Sequence, residues 1–244
     1  MATINAQSST TVDEIADGIY RISTPIPPEA MPGGFSFNQY LIADDKPMIY
    51  HSGPRKMFPA VSAAIESVLP LSSLAYIGFS HVESDECGSL NEFLTAAPGA
   101  VPLCGQVAAM VSVDDLAIRP AKAMADGEVL ELGRHRVQWF ATPHLPHGWE
   151  CSMAYEETTR TLLCGDLFTQ PGHRNPPLTE EDILEPSEAF RLQMDYFAHS
   201  PDTRRHLTRL SELQPATLAC MHGSAWRGNG AALLLKLADR VSPA

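Results

Sequence analysis

The 244-residue chain lacks the features that mark several common protein classes. It has no C-x-x-C pair, and its five cysteines (Cys87, Cys104, Cys151, Cys164 and Cys220) are an odd number. That argues against a disulfide framework or a structural zinc ribbon, and predicts small buried thiols in a reducing, cytoplasmic setting. Positive charge is scarce: 17 Lys and Arg face 29 Asp and Glu, a net charge of −12. Binding of nucleic acid or of an anionic membrane needs a basic footprint, so neither partner is expected. No apolar run approaches the roughly 20 residues of a membrane span. Met1-Ala2-Thr3-Ile4-Asn5 offers no basic and then apolar leader, so no secretory signal is expected. There is no Gly-rich phosphate loop, and no repeat of about 20–50 residues.

What is present is the composition of a globular protein, 44% hydrophobic and 19% charged, long enough to bury a substantial core. Residues 1–16 read as a polar lead-in. Alternation predicts strands over 18–22, 35–42 and 48–51, and apolar spacing predicts a helix over 58–69 closed by Pro70. A buried strand over 74–79 precedes a helix over 88–97, a strand over 100–103 and a helix over 106–113. Two hairpins follow, 127–132 with 136–141 and 153–155 with 161–164. A long Pro- and Gly-containing loop, 168–186, suggests a lid or interface. Helices are expected over 187–199, with Ser187 as N-cap, and over 202–213. A last strand over 217–220 and a helix over 231–241 complete the pattern. Strands cluster early and again in mid-chain, each cluster mixed with helices. That order suits two sheets face to face with helices outside, in one domain spanning 1–244.

The chemistry concentrates at His81-Val82-Glu83-Ser84-Asp85-Glu86-Cys87-Gly88, which follows the 74–79 strand. His81, Glu83 and Asp85 alternate, and a loop at a strand end can turn such side chains toward one cation. Four further strand ends carry a donor: His51 after 48–50, His144 and His147 after 136–141, Asp166 after 161–164, and His222 after 217–220. Glycine beside His147, Asp166 and His222 allows close backbone approach and a sharp exit from the strand. A lone histidine at a strand end is more often a hydrogen-bonded structural residue than a ligand. A tight three-donor cluster together with separated Asp and His residues at strand ends is hard to obtain from structural needs alone.

The order H-x-E-x-D, then His, Asp and His, resembles the metallo-β-lactamase superfamily. More narrowly, it resembles the diiron domain of flavodiiron proteins and the stand-alone oxygen-binding diiron proteins, over nearly the whole chain. The resemblance implies an α/β fold, the αβ/βα four-layer sandwich with two central mixed β-sheets and metals at the strand ends. It implies His81, Glu83 and His147 on a first iron, Asp85 and His222 on a second, and Asp166 bridging both. His147 is preferred to His144 because it precedes Gly148-Trp149-Glu150-Cys151-Ser152-Met153, similar to the stretch after the family's ligand histidine. His144 is then a supporting or entrance residue. Zinc hydrolases of this fold usually carry H-x-H-x-D-H, whereas Glu83 and Glu86 stand here in place of histidines. Glu86 is either an added ligand of the second metal or an acceptor supporting the ligands, the latter favoured. His51, at a position often Asp in the superfamily, is expected behind the ligands or simply packed. Surface placement is expected for His135, His173, His199 and His206. Trp149 and Trp226 are either walls of the pocket or core aromatics.

Three carboxylates make a hard, oxygen-rich set that suits iron or manganese, while affinity order alone favours zinc over ferrous iron. Two iron ions are the expected cofactor, with zinc or manganese as alternatives in either position. About three protein donors per metal plus the bridge leave positions open for O2 or NO. Flavodiiron proteins reduce these gases with electrons from a fused flavin domain of roughly 100–150 residues, for which no room is expected here. The expectation is therefore a non-haem diiron protein that binds O2, or reduces or senses O2 or NO, with electrons from a separate donor. The alternative is a metal-dependent hydrolase of an ester, thioester or lactone. A homodimer is expected from the resemblance.

Overall fold

Residues 2–16, polar in sequence, pair as strands. β1 (Ala2–Asn5) and β2 (Thr10–Ala16) run antiparallel, and β2 continues onto β3 (Ile19–Ile26). The Thr10 and Thr24 hydroxyls meet at 2.9 Å inside the sheet, and Ile15 is buried in the core. The stretch is therefore no lead-in: its hydroxyls are satisfied across strands, which polarity alone does not reveal. This computed structural model describes residues 2–241.

β4 (Phe35–Ile42) and β5 (Met48–Tyr50) extend the antiparallel part of the sheet. α1 (Phe58–Glu66) then crosses over to β6 (Tyr76–Gly78), which pairs with β5 in parallel. α2 (Ser84–Cys87) and α3 (Leu90–Ala96) lead to β7 (Val101–Gly105). α4 (Gln106–Ala108), a π-helical turn (Ala109–Val113) and α5 (Asp114–Leu116) lead to β8 (Lys122–Met124). The first sheet thus runs β1 to β8 in sequence order.

The second sheet contains β9 (Val129–Glu131), β10 (Arg136–Ala141), β11 (Ser152–Glu156) and β12 (Thr161–Leu163) as an antiparallel meander. β13 (Leu178–Thr179) lies within the long loop, ahead of α6 (Leu184–Met194) and α7 (Thr203–Glu212). β14 (Thr217–Ala219) returns parallel to β12, β15 (Ala225–Arg227) joins β13 to β14, and α8 (Gly230–Val241) follows. Both sheets are mixed, and together with the helices they form the αβ/βα four-layer sandwich.

Alternation along the strands builds the layers. Tyr40 and Met48 of the first sheet meet Val137, Trp139 and Leu163 of the second in a core between the sheets. The opposite faces go to helices: Leu41, Ile49 and Ile77 lie under Val61, Ile65 and Phe93 of α1 and α3. Phe140, Leu162 and Leu218 lie under Leu184, Leu207 and Leu234 of α6, α7 and α8. Each such aliphatic side chain contributes about 1.5–3 kcal/mol by leaving water. That packing rigidly fixes the strand ends that carry the donors.

Three local expectations are corrected. α6 starts at Leu184, so Ser187 lies inside its first turn with its hydroxyl on the Leu184 carbonyl. Asp182 is the capping side chain instead, its Oδ1 accepting from the Leu184 amide at 2.8 Å. His135 and His206 are buried, not on the surface. His135 Nδ1 pairs with buried Glu156 at 3.1 Å, and His206 lies on the core face of α7. Among the described residues, no helix is long and apolar enough to cross a membrane.

Candidate metal centre

Strand ends from both sheets deliver the donors to one place. After β6 the chain runs through Phe79 and Ser80 to His81, and Glu83 is still extended, with φ −140°. The turn of α2 then redirects the backbone, so the H-x-E-x-D stretch does not present its side chains as one alternating row. His81 and Glu83 join His147 and Asp166 in one group, and Asp85 and Glu86 join His222 in another. Within each group the donor atoms lie within 4.8 Å of one another.

Asp166 stands between the groups. Its Oδ2 lies 3.6 Å from His81 Nε2 and 3.3 Å from His147 Nε2, while its Oδ1 lies 3.3 Å from His222 Nε2. Glu83 Oε2 lies 3.1 Å from His81 Nε2 and 3.2 Å from His147 Nε2. Asp85 Oδ2 lies 3.3 Å from His222 Nε2. His144, with φ +64°, is exposed and joins neither group.

Each of the three imidazoles is held from behind through Nδ1. His147 Nδ1 lies 2.9 Å from the Tyr196 carbonyl, and His222 Nδ1 lies 2.8 Å from the Ser36 carbonyl. His81 Nδ1 lies 2.9 Å from Ser80 Oγ, which in turn meets Nε2 of buried His51 at 3.1 Å. Such partners fix tautomer and ring plane and leave Nε2 facing the centre. Burial lowers the His51 pKa to about 3, which keeps that supporting imidazole neutral. Glu150 Oε1 accepts from the Val82 amide at 2.8 Å and so ties down the loop between His81 and Glu83. The Gly223 carbonyl, next to His222, accepts from Asn38 and Arg21.

The charges are strongly perturbed. Hydrogen bonds from His147 and His81 bring the Glu83 pKa down to about 2. Burial would lower His222, but Asp166 and Asp85 outweigh it and raise the imidazole to about 10. Burial would raise Asp166, but His222, His81 and His147 hold it below the carboxylate range. Glu86 is 0% exposed, and burial followed by the nearby Asp166 pushes it well above its ordinary value. Neither Glu86 oxygen has a hydrogen-bond partner, nor does Asp166 Oδ1. Buried carboxylate oxygens without donors are costly, and cations at the two groups would satisfy all three. Four carboxylates and three inward Nε2 atoms fit a pair of metal ions better than an isolated protein interior.

A cavity of about 180 Å³ opens onto these groups and is walled by Phe35, Phe190, Met194 and Tyr196. The Phe35 ring lies 4.3 Å from the His222 ring. These walls escaped the sequence reading because they come from β4 and the α6 region, far from any ligand in sequence. Trp149 is 57% exposed and Trp226 hydrogen-bonds the Glu181 carbonyl beside a different cavity; neither lines this one. All five cysteines are free, and Cys164 and Cys220 pack with their sulfurs 3.9 Å apart.

The four-layer sandwich with His, Asp and Glu donors gathered at its strand ends defines a metallo-β-lactamase-type protein. The pattern of the ODP family beta lactamase matches residues 35–223, and the chain belongs to that family. Its relatives include the anaerobic nitric oxide reductase flavorubredoxin of Salmonella arizonae, 25% identical over 206 residues. That match covers 80% of this chain and 42% of the relative, so the chain spans less than half the length of this curated relative. In fold it is similar to the rubredoxin oxygen:oxidoreductase of Desulfovibrio gigas, with a TM-score of 0.80, 20% identity, and 94% and 62% of the two chains covered. A diflavin flavoprotein fragment from Nostoc gives a TM-score of 0.81 at 20% identity, covering 95% of each chain.

Proposed function

We propose that these 244 residues form one non-haem diiron domain that binds O2, and reduces or senses O2 or NO, with electrons from a separate donor. The observation that carries this reading is the donor set, in which the two oxygens of Asp166 face different histidine groups. His81, Glu83 and His147 would hold the first metal and Asp85, Glu86 and His222 the second, with Asp166 shared between them. Glu86 is a ligand in this reading, because neither of its buried oxygens has a hydrogen-bond partner among the described residues, His81 Nε2 standing 3.9 Å from Oε2. Four carboxylates balance two ferrous ions, and such a hard set favours iron or manganese.

Two ferrous ions there would supply electrons and open coordination positions for a diatomic ligand. The protein's part is positional. His51, Ser80 and the Tyr196 and Ser36 carbonyls orient the imidazoles, and Phe35, Phe190 and Met194 keep the approach apolar. A cavity of about 180 Å³ suits O2 or NO and is small for an ester or lactone, whose pockets run to roughly 300–1,000 Å³. The names of the relatives and fold neighbours, a nitric oxide reductase and an oxygen oxidoreductase, support the same substrate class. Free thiols support a cytoplasmic setting. Exposed Met194 at the cavity mouth supports a donor or a second copy of the chain as partner on that face.

The test is to purify the protein from iron-supplemented cells, measure its metals, reduce it without air and admit O2 or NO while recording the spectrum. Two irons per chain and a new absorption band are expected. One stoichiometric zinc, no response to either gas and turnover of an ester or thioester would overturn the reading.

A further inference from the structure

A second cleft, where β2 and β3 meet the loop after Asp166, has a chemistry unlike the rest of this acidic chain. It encloses about 750 Å³ and is lined by Arg21, His173 and Arg174 with no Asp or Glu among its lining residues. Three other cavities, including the one at the metal centre, each carry at least two carboxylates. The rest of its wall mixes hydroxyl and amide groups, such as Thr11, Ser23 and Asn175, with an apolar side made by Pro25, Ile26, Pro27 and Met57.

Arg21 gives the cleft its depth. It is only 2% exposed, and one of its terminal nitrogens donates to the Gly223 carbonyl at 2.7 Å. Its Nε is buried too and has no hydrogen-bond partner. Asp13, the carboxylate that acts electrostatically on Arg21, is not among the lining residues. Arg21 therefore adds positive charge to the wall of the cleft, and an anion held there would be attracted to it. The loop is anchored there. The Gly172 amide donates to the Gly34 carbonyl, and the His173 ring packs so closely on Gly34 that a Cβ would lie 2.6 Å from Nδ1.

We propose that this cleft binds a phosphate-bearing, hydroxyl-rich small molecule of sugar-phosphate or nucleotide size. Guanidinium groups match phosphate oxygens in charge and in planar geometry. The hydroxyl and amide groups suit a sugar, Pro25, Ile26, Pro27 and Met57 suit the face of a base, and the volume lies in the range of small-molecule sites, roughly 300–1,000 Å³. The ligand would draw on Arg21, which also holds the backbone beside His222, so the cleft abuts the metal centre without sharing its donors.

The test uses the full chain stripped of metal by a chelator, so its result is independent of the diiron reading. Calorimetry would compare adenosine 5′-monophosphate and glucose 6-phosphate with adenosine, glucose and inorganic phosphate. At least one organic phosphate should bind with submillimolar Kd while its uncharged parent does not. Arg174→Ala, at an exposed position that folding does not need, should weaken that binding about tenfold, and Arg174→Glu should abolish it. Three results would overturn the proposal: no binding of either organic phosphate at millimolar concentration, equal binding of the uncharged parents, or binding unchanged in Arg174→Glu.

Discussion

Glu86 is the side chain on which the chemistry of the second group turns. A carboxylate with no exposure and no hydrogen-bond donor is stable only if it is protonated or metal-bound. Glu86→Gln should therefore lower the metal content toward one ion per chain, while Glu86→His, which restores a donor, should keep two. Elemental analysis of the purified variants checks both. That His81, Glu83, Asp85, His147, Asp166 and His222 come together in two groups was legible in the sequence, since each follows a strand. The favoured supporting role of Glu86 was not decidable there, because its environment is made by residues distant in sequence. Gly223 is a second such residue. With φ +87° and a Cβ position only 2.6 Å from the Gln170 Cβ, Gly223→Ala should cost about 1–3 kcal/mol. A melting temperature several degrees lower would be the readout.

At the scale of elements, long periodic segments were legible and short ones were not. β3, β4, β10 and α8 follow their own alternation or apolar spacing. β8 and β13 are two or three residues long and exist only because a distant strand supplies the hydrogen bonds. The same limit hid the buried pair of His135 and Glu156, which closes the β9–β10 turn against the end of β11. Burial would raise Glu156, but hydrogen bonds from Thr159, Thr158 and His135 pull its pKa below the ordinary 4.5. A depressed carboxylate stabilises the fold above its unfolded pKa and loses that contribution as pH falls through the folded value. Glu156→Gln should thus cost about 1–3 kcal/mol at pH 7. The gap to the unchanged protein should close as pH drops below 4.5, seen in denaturant melts across pH.

Across the whole molecule, the two donor groups join the sheets. His81, Glu83, Asp85 and Glu86 follow β6 of the first sheet, whereas His147, Asp166 and His222 follow β10, β12 and β14 of the second. Metal bound there would act as a further cross-link between halves that meet through the apolar core around Trp139 and through hydrogen bonds such as those from Arg21 and Asn38 to the Gly223 carbonyl. Chelation should lower the melting temperature, by the equivalent of about 2.7 kcal/mol where free metal had stood at 100 times its Kd. Calorimetric scans with and without chelator check it.

The exposure of the two groups is unequal. The Glu83 side chain is 53% exposed and that of His147 26%, whereas Glu86 and His222 are almost wholly covered. Both groups border the same cavity, but a chelator meets the more exposed Glu83 and His147 more readily, so unloading would begin there. A chelator time course should show two phases of equal amplitude, the fast one belonging to the metal held by Glu83 and His147.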